Sequence, residues 1–90
     1  MIKAIASSEL DATTQKSFYG KARVEKMSDK SIRLVSYGTV VLSIDNEGKP
    51  HRHWDEWSAT TGKHIREFTY KYLGYPILKQ EWDKMEVETI

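Results

Sequence analysis

From Ser31 to Asp45 every even position is apolar or small: Ile32, Leu34, Ser36, Gly38, Val40, Leu42 and Ile44. Alternation with a period of two is what a strand buried on one face requires, so the middle of the chain is committed to β-structure. Two arrangements of this run compete. Tyr37-Gly38 could be a two-residue hairpin turn between two strands. Such a turn sets Ser36 opposite Thr39, Leu34 opposite Val41 and Ile32 opposite Ser43, which mismatches the apolar faces. One long strand bent at Gly38 keeps every even residue on one side, and the register argument favours it. A three-residue loop over Tyr37, Gly38 and Thr39 also keeps the faces matched.

The same period appears earlier. Phe18, Gly20, Ala22 and Val24 share one face, while Tyr19, Lys21, Arg23 and Glu25 share the other. Ser28-Asp29-Lys30 supplies turn residues. A three-residue loop there pairs Met27 with Ser31 and places Val24 opposite Leu34, Ala22 opposite Ser36, Gly20 opposite Gly38 and Phe18 opposite Val40. Two facing glycines would leave a dent in the sheet. Asp45-Asn46-Glu47-Gly48 is a turn by composition. Lys49 to Trp54 then returns as a third antiparallel strand, and Pro50, lacking a donor, makes it an edge. His51 and His53 share one face of it, Arg52 and Trp54 the other. An edge of this kind can pair across a two-fold axis, so a homodimer is compatible with the pattern.

The period changes after Trp57. Ser58, Thr60 and Thr61 are all good N-caps, with Thr60 the preferred one. Ile65, Phe68, Tyr72 and Leu73 then form an amphipathic stripe that Gly74 ends. Pro76 suits the first turn of a second helix, in which Leu78, Trp82 and Met85 face inward and Lys79 pairs with Asp83 at the surface. The acidic end from Glu86 is expected to fray. The predicted fold is α+β: a three-stranded antiparallel β-meander over residues 17–54, with two C-terminal helices over 58–85 packed on its even face. Residues 1–15 are a poorly defined N-terminal segment.

Ninety residues bound this to a single domain, 1–90. A chain of this length buries only about 60–65% of its unfolded surface, so its stability is expected to be modest. Apolar residues at 39% and charged residues at 30% fit a globular domain. There is no cysteine, which excludes disulfides and thiolate metal sites and fits a reducing compartment. The N-terminal residues carry no long apolar run, so no signal peptide, membrane span or membrane partner is expected, and the predicted location is cytoplasmic. The net charge is +1, but basic residues gather over 16–33 and acidic ones over 81–90.

Ser36-Tyr37-Gly38-Thr39-Val40-Val41, followed by Trp57-Ser58-Ala59-Thr60-Thr61-Gly62-Lys63-His64-Ile65-Arg66-Glu67-Phe68, resembles a pattern in small uncharacterised proteins carried by bacteriophages and plasmids, chiefly of Gram-positive bacteria. The pattern is a Ser-Tyr-x-Thr strand and then a Ser-x-Thr-Thr-x-x-His-Ile-x-x-Phe helix start. The resemblance spans about residues 18–73. It implies a genomic setting in a bacterial host, and no activity comes with it.

The candidate chemistry is sparse. His51, His53 and His64 invite a metal, yet ligation needs three or four groups converging at about 2 Å, and the strand histidines read as solvent-facing while His64 caps or packs under the helix start. Thr60 and Thr61 near His64 suggest a hydrolase, but capping explains the threonines, and there is no Gly-x-Ser-x-Gly elbow or phosphate-cradling loop. No catalytic residue, metal or cofactor is predicted. Two binding surfaces remain. The odd sheet face would present Tyr19, Lys21, Arg23, Arg33 and Tyr37, rings among cations as single-stranded nucleic acid platforms use. Trp54, Trp57 and Tyr75 are candidate anchors for a protein partner. The expectation is therefore a non-catalytic binding protein of phage or mobile-element origin whose partner is a host or phage protein complex. One version is an inhibitor of a host defence complex such as CRISPR. The alternative is a nucleic-acid-binding accessory protein using the sheet face.

Overall fold

A computed structural model describes residues 4–9 and 22–89 of the chain. These residues build an antiparallel sheet of five strands in sequential order: β1 (Ala4–Glu9), β2 (Ala22–Met27), β3 (Ile32–Ser36), β4 (Thr39–Ile44) and β5 (Pro50–Arg52). Two helices follow, α1 (Ala59–Leu73) and α2 (Lys79–Lys84). The class is α+β with an antiparallel sheet and two helices, as the periodicities predict. The strand count is not: the meander has five strands among the described residues where three are predicted.

One extra strand is β1. The N-terminal segment pairs along β2, from Ala4 opposite Met27 to Glu9 opposite Arg23, with an irregularity between Ala4 and Ala6. The other comes from the long central run, which is two strands and not one bent strand. Tyr37 and Gly38 both have left-handed backbones, φ 51° and 80°, the conformation of a type I′ hairpin turn. A β-bulge removes the expected mismatch. Ser36 faces Thr39 and Val35 faces Val40, but the register then shifts so that Leu34 faces Leu42 and Ile32 faces Ile44. Val41 is the extra residue, and Val41 and Leu42 are accordingly both buried although adjacent. Gly38 therefore sits in a turn and not at the strand position that the predicted dent requires. Its proposed partner Gly20, like Phe18, lies outside the described residues.

The β2–β3 pairing is the predicted one: Val24 faces Leu34 and Ala22 faces Ser36, with Met27 donating to the Ser31 carbonyl at 2.8 Å across the turn. The Asp45–Lys49 turn is likewise in place, with Asp45 Oδ1 accepting from the amides of Glu47 and Lys49, both at 2.9 Å.

The core lies between the even face and the helices. Ala22, Val24, Leu34, Leu42 and Ile44 from the sheet meet Ile65 and Phe68 of α1, Ile77 of the connection and Trp82 of α2. Removing such side chains from water at about 25 cal/mol per Å² is what holds a small domain together. Gly74 ends α1 in the left-handed conformation with its amide bonded to the Tyr70 carbonyl. The second helix departs from prediction. It begins at Lys79 and not at Pro76, so Ile77 is buried and Leu78 is 44% exposed. Ile77 is drawn inward because its amide donates to Thr69 Oγ1 at 2.8 Å, which brings the connection onto α1.

The acidic end also departs from prediction. Instead of fraying at Glu86, the chain returns to the sheet, where Val87 bridges Arg52 in parallel and the Glu88 amide donates to the Arg52 carbonyl at 2.7 Å.

Candidate functional site

Residues 36–41 and 57–68 meet in space. Ser36 ends β3, Tyr37 and Thr39 belong to the hairpin, and Ser58, Thr60 and Thr61 open α1. With Val41 and Trp54 they line a cleft of about 360 Å³. Its floor is polar. Ser36 occupies an even, core-facing strand position, where a hydroxyl must find partners. Its Oγ lies 3.0 Å from Thr61 Oγ1 and 2.8 Å from His64 Nδ1. Thr61 and His64 are three apart on one face of α1, so both reach the same hydroxyl. The seam is dry: Ser36, Thr61 and His64 are 3%, 4% and 1% exposed.

Tyr37 forms the lip. Its ring centroid is 5.8 Å from that of His64, and the residue is 54% exposed. Its left-handed backbone is unusual, because a Cβ in that region costs about 1 kcal/mol that glycine avoids. On the facing wall, α1 is capped by Ser58 and not by Thr60. Ser58 is extended, its Oγ accepts the Thr61 amide at 3.1 Å, and its carbonyl accepts the Gly62 amide at 2.7 Å. Thr60 is exposed on the cleft.

Serine beside histidine is also how a nucleophile and its base are paired, but catalysis needs in addition donors aimed at a developing oxyanion. The amides of Thr61 and Gly62 are both turned to Ser58. The Ser36–Thr61–His64 contacts tie the end of the hairpin to the start of the helix. This seam is absent from the sequence reading, yet one signal points to it: a serine and a histidine each at a core-facing position of its element must be satisfied by something.

The predicted surfaces are only partly assembled. Tyr19 and Lys21 lie outside the described residues. Arg23 is exposed and donates to Ser7 Oγ of β1, and Arg33 is half-buried between Glu25 and Ser43 in neighbouring strands. Tyr37 stands apart from them, beside His64 on the helix side of the sheet. Trp54 and Trp57 are half-buried against the core, Trp57 with its ring 6.0 Å from that of Trp82. Tyr75 is 54% exposed. Only Trp54 of this trio lines the cleft.

The strand histidines are not merely solvent-facing. His51 Nε2 is 2.8 Å from Asp45 Oδ2 and its Nδ1 is 2.8 Å from Glu88 Oε2. These contacts raise its pKa above the usual imidazole value, Asp45 first and Glu88 second. In return the His51 hydrogen bond and those from the turn amides hold Asp45 at about 2. His53 Nδ1 donates to the Glu88 carbonyl at 2.8 Å, and its Nε2 is 2.7 Å from Ser43 Oγ. Among the described residues no group of three or more histidine or acidic side chains is arranged to hold a metal.

A model of a family of unknown function, DUF8033, matches residues 8–84. The chain belongs to that family. The match takes in the sheet from the end of β1, the cleft, α1 and α2, so the domain as a whole carries the DUF8033 membership, not the two strings alone. Comparisons with curated proteins and with solved structures return no match for this DUF8033 chain. Among the described residues no helix is long and apolar enough to cross a membrane.

Proposed function

We propose that the chain is a non-catalytic binding protein and that its recognition site is the cleft between the β3–β4 hairpin and the start of α1. The observation that carries this reading is Tyr37. A type I′ turn favours asparagine or glycine at both central positions. Here a tyrosine is held in the left-handed region, 54% exposed, at the mouth of a cleft. Backbone strain kept at an exposed aromatic points to a use for that ring. Tyrosine is a favoured anchor because it offers large area and a polar tip at small entropic cost. The hydroxyls of Ser58, Thr60 and Thr39 around it suit a polar group on a partner's protruding side chain.

The partner class follows from the resemblance: a macromolecular complex of the bacterial host or its phage, in the cytoplasm, with the chain supplied by a phage or plasmid. Inhibition of a host defence complex such as CRISPR is the version that a small binding protein suits. The test compares tagged wild type with Tyr37→Asn in affinity capture from the host, after nuclease treatment. The reading requires a partner recovered by wild type and lost by the variant while the variant stays folded. Equal recovery by both would remove Tyr37, and with it the cleft, from the site.

The second reading, nucleic-acid binding on the opposite face, rests on the exposed Arg23. It requires affinity that falls steeply with salt and weakens in Arg23→Ala and Arg33→Ala. Binding indifferent to both excludes it.

A further inference from the structure

We propose that residues 86–89 are a proton-controlled clasp: the His51 imidazolium, bridging Asp45 and Glu88, holds the C-terminal segment on the outer edge of β5, and loss of its proton loosens that segment. The geometry makes the proton necessary. Each ring nitrogen of His51 is 2.8 Å from a carboxylate oxygen. An ionised carboxylate only accepts, so both nitrogens must donate, and an imidazole that donates twice is charged. A neutral ring would turn a lone pair towards one of the two carboxylates.

The surroundings decide which contact fails. Asp45 is fixed independently, since its Oδ1 accepts the amides of Glu47 and Lys49 in the β4–β5 turn. Glu88 is 48% exposed at the side chain and belongs to a segment held by few contacts. Besides the His51 contact, these are the Val87–Arg52 bridge, whose Glu88 amide donates to the Arg52 carbonyl, and the His53 ring on the Glu88 carbonyl. A neutral His51 therefore keeps its remaining N–H on Asp45 and releases Glu88. The His53 contact does not depend on the His51 proton, since its donor belongs to a different ring.

The charged groups facing His51 come from three places. Asp45 lies in the turn and Glu88 in the C-terminal segment, while Arg33 and Glu25 continue its row beyond Ser43. Lys49, nearby in the turn, is paired with Glu47. Both flanking carboxylates favour the charged ring, and its pKa is raised accordingly. A raised histidine contributes its stabilisation fully below the unfolded value of about 6.5, and the contribution fades as pH climbs through the higher folded value. Asp45 acts in the opposite sense: its contribution is present above its unfolded value and is lost as pH falls towards about 2. The clasp is thus closed below the unfolded value of about 6.5 and loosens as pH rises through the higher folded value.

Amide exchange of Glu88, corrected for intrinsic rates and referred to core amides of α1, reads the clasp directly, while proton NMR follows the His51 ring. Protection of Glu88 is expected to fall roughly two- to fivefold across the His51 titration, the span of a part-exposed ion pair. In Glu88→Gln the His51 titration moves down towards the ordinary value and the step in protection disappears. Glu86→Gln, a charge change of the same size beside it, leaves both as in wild type. Protection that is equal on either side of the His51 titration overturns the proposal, as does a step of unchanged size in Glu88→Gln.

Discussion

Gly62 sits on the inner face of α1, where a glycine normally weakens a helix by about 1 kcal/mol against alanine. Its place is taken by close approach: a Cβ built there would lie 2.5 Å from Trp57 Cζ2 and 2.8 Å from Cε2. The indole cannot simply swing away, since it packs against the core and against Trp82. Gly62→Ala should therefore destabilise by about 1–3 kcal/mol in chemical denaturation, overpacking outweighing the gain in propensity. In a Trp57→Leu background the clash is gone, and the same change should become neutral or stabilising. That reversal separates packing from any loss of helix content. A second residue-scale outcome distinguishes the two hydroxyls at the helix start. Ser58→Ala removes an acceptor from the Thr61 amide and should cost about 1 kcal/mol, whereas Thr60→Ala, off the cap, should change stability by only a few tenths. Three hydroxyls within four residues look alike in sequence; only the backbone of Ser58, extended at φ −130°, marks the cap.

At the scale of elements, the β3–β4 hairpin carries both strain and site. Tyr37→Asn places Asn-Gly, the favoured type I′ pair, in a turn that already has both left-handed residues. It should raise stability by about 1 kcal/mol, measured by thermal or urea unfolding, while abolishing capture of the partner. A variant that is more stable and less active is hard to produce at a scaffold position. The hairpin also departs from the single strand that its alternation predicts, for a physical reason. Alternation reports faces, and a bulge changes face without changing composition. The run Val40-Val41-Leu42 conceals one inserted residue, so matched faces without it require a single strand. The β2–β3 register was legible because counting back from a three-residue turn at 28–30 keeps the period-two faces matched, and the observed pairs are those of that count. β1 was not, since its one β-branched residue, Ile5, is 70% exposed and its neighbours Ala4, Ala6 and Ser7 are small and exposed too, so no buried face marks the strand. The helix stripe Ile65, Phe68, Tyr72 and Leu73 was readable, but the polar seam was not: Ser36 and His64 are far apart in sequence and joined only by tertiary packing.

At the scale of the whole molecule, the sheet edge, α2 and the cleft share one fastener, Arg52. It is 8% exposed at the end of β5. Its Nε donates to the Trp54 carbonyl at 2.7 Å, and its Nη1 donates to the Trp82 carbonyl at 2.8 Å and the Met85 carbonyl at 3.3 Å. The guanidinium also lies 4.8 Å over the Trp82 ring, the largest fully buried side chain. One planar fork thus ties the last strand to the end of the second helix and fixes the Trp54 backbone beside the cleft. Arg52→Met keeps much of the volume and leaves those carbonyls short of donors, each at about 1–3 kcal/mol where water cannot reach. A total loss of about 2–4 kcal/mol is expected, which for a domain of this size lowers Tm by roughly 10–25 °C. Arg52→Lys retains the charge, but a point donor cannot serve carbonyls on two sides or stack as a plane, so it should recover only part of that loss. Partner capture by Arg52→Lys, measured well below its Tm, should weaken together with the packing of Trp54, whose own assigned indole N–H resonance then shifts in the proton NMR spectrum. Capture at the wild-type level with a shifted spectrum would mean that the Trp54 wall of the cleft is dispensable for binding.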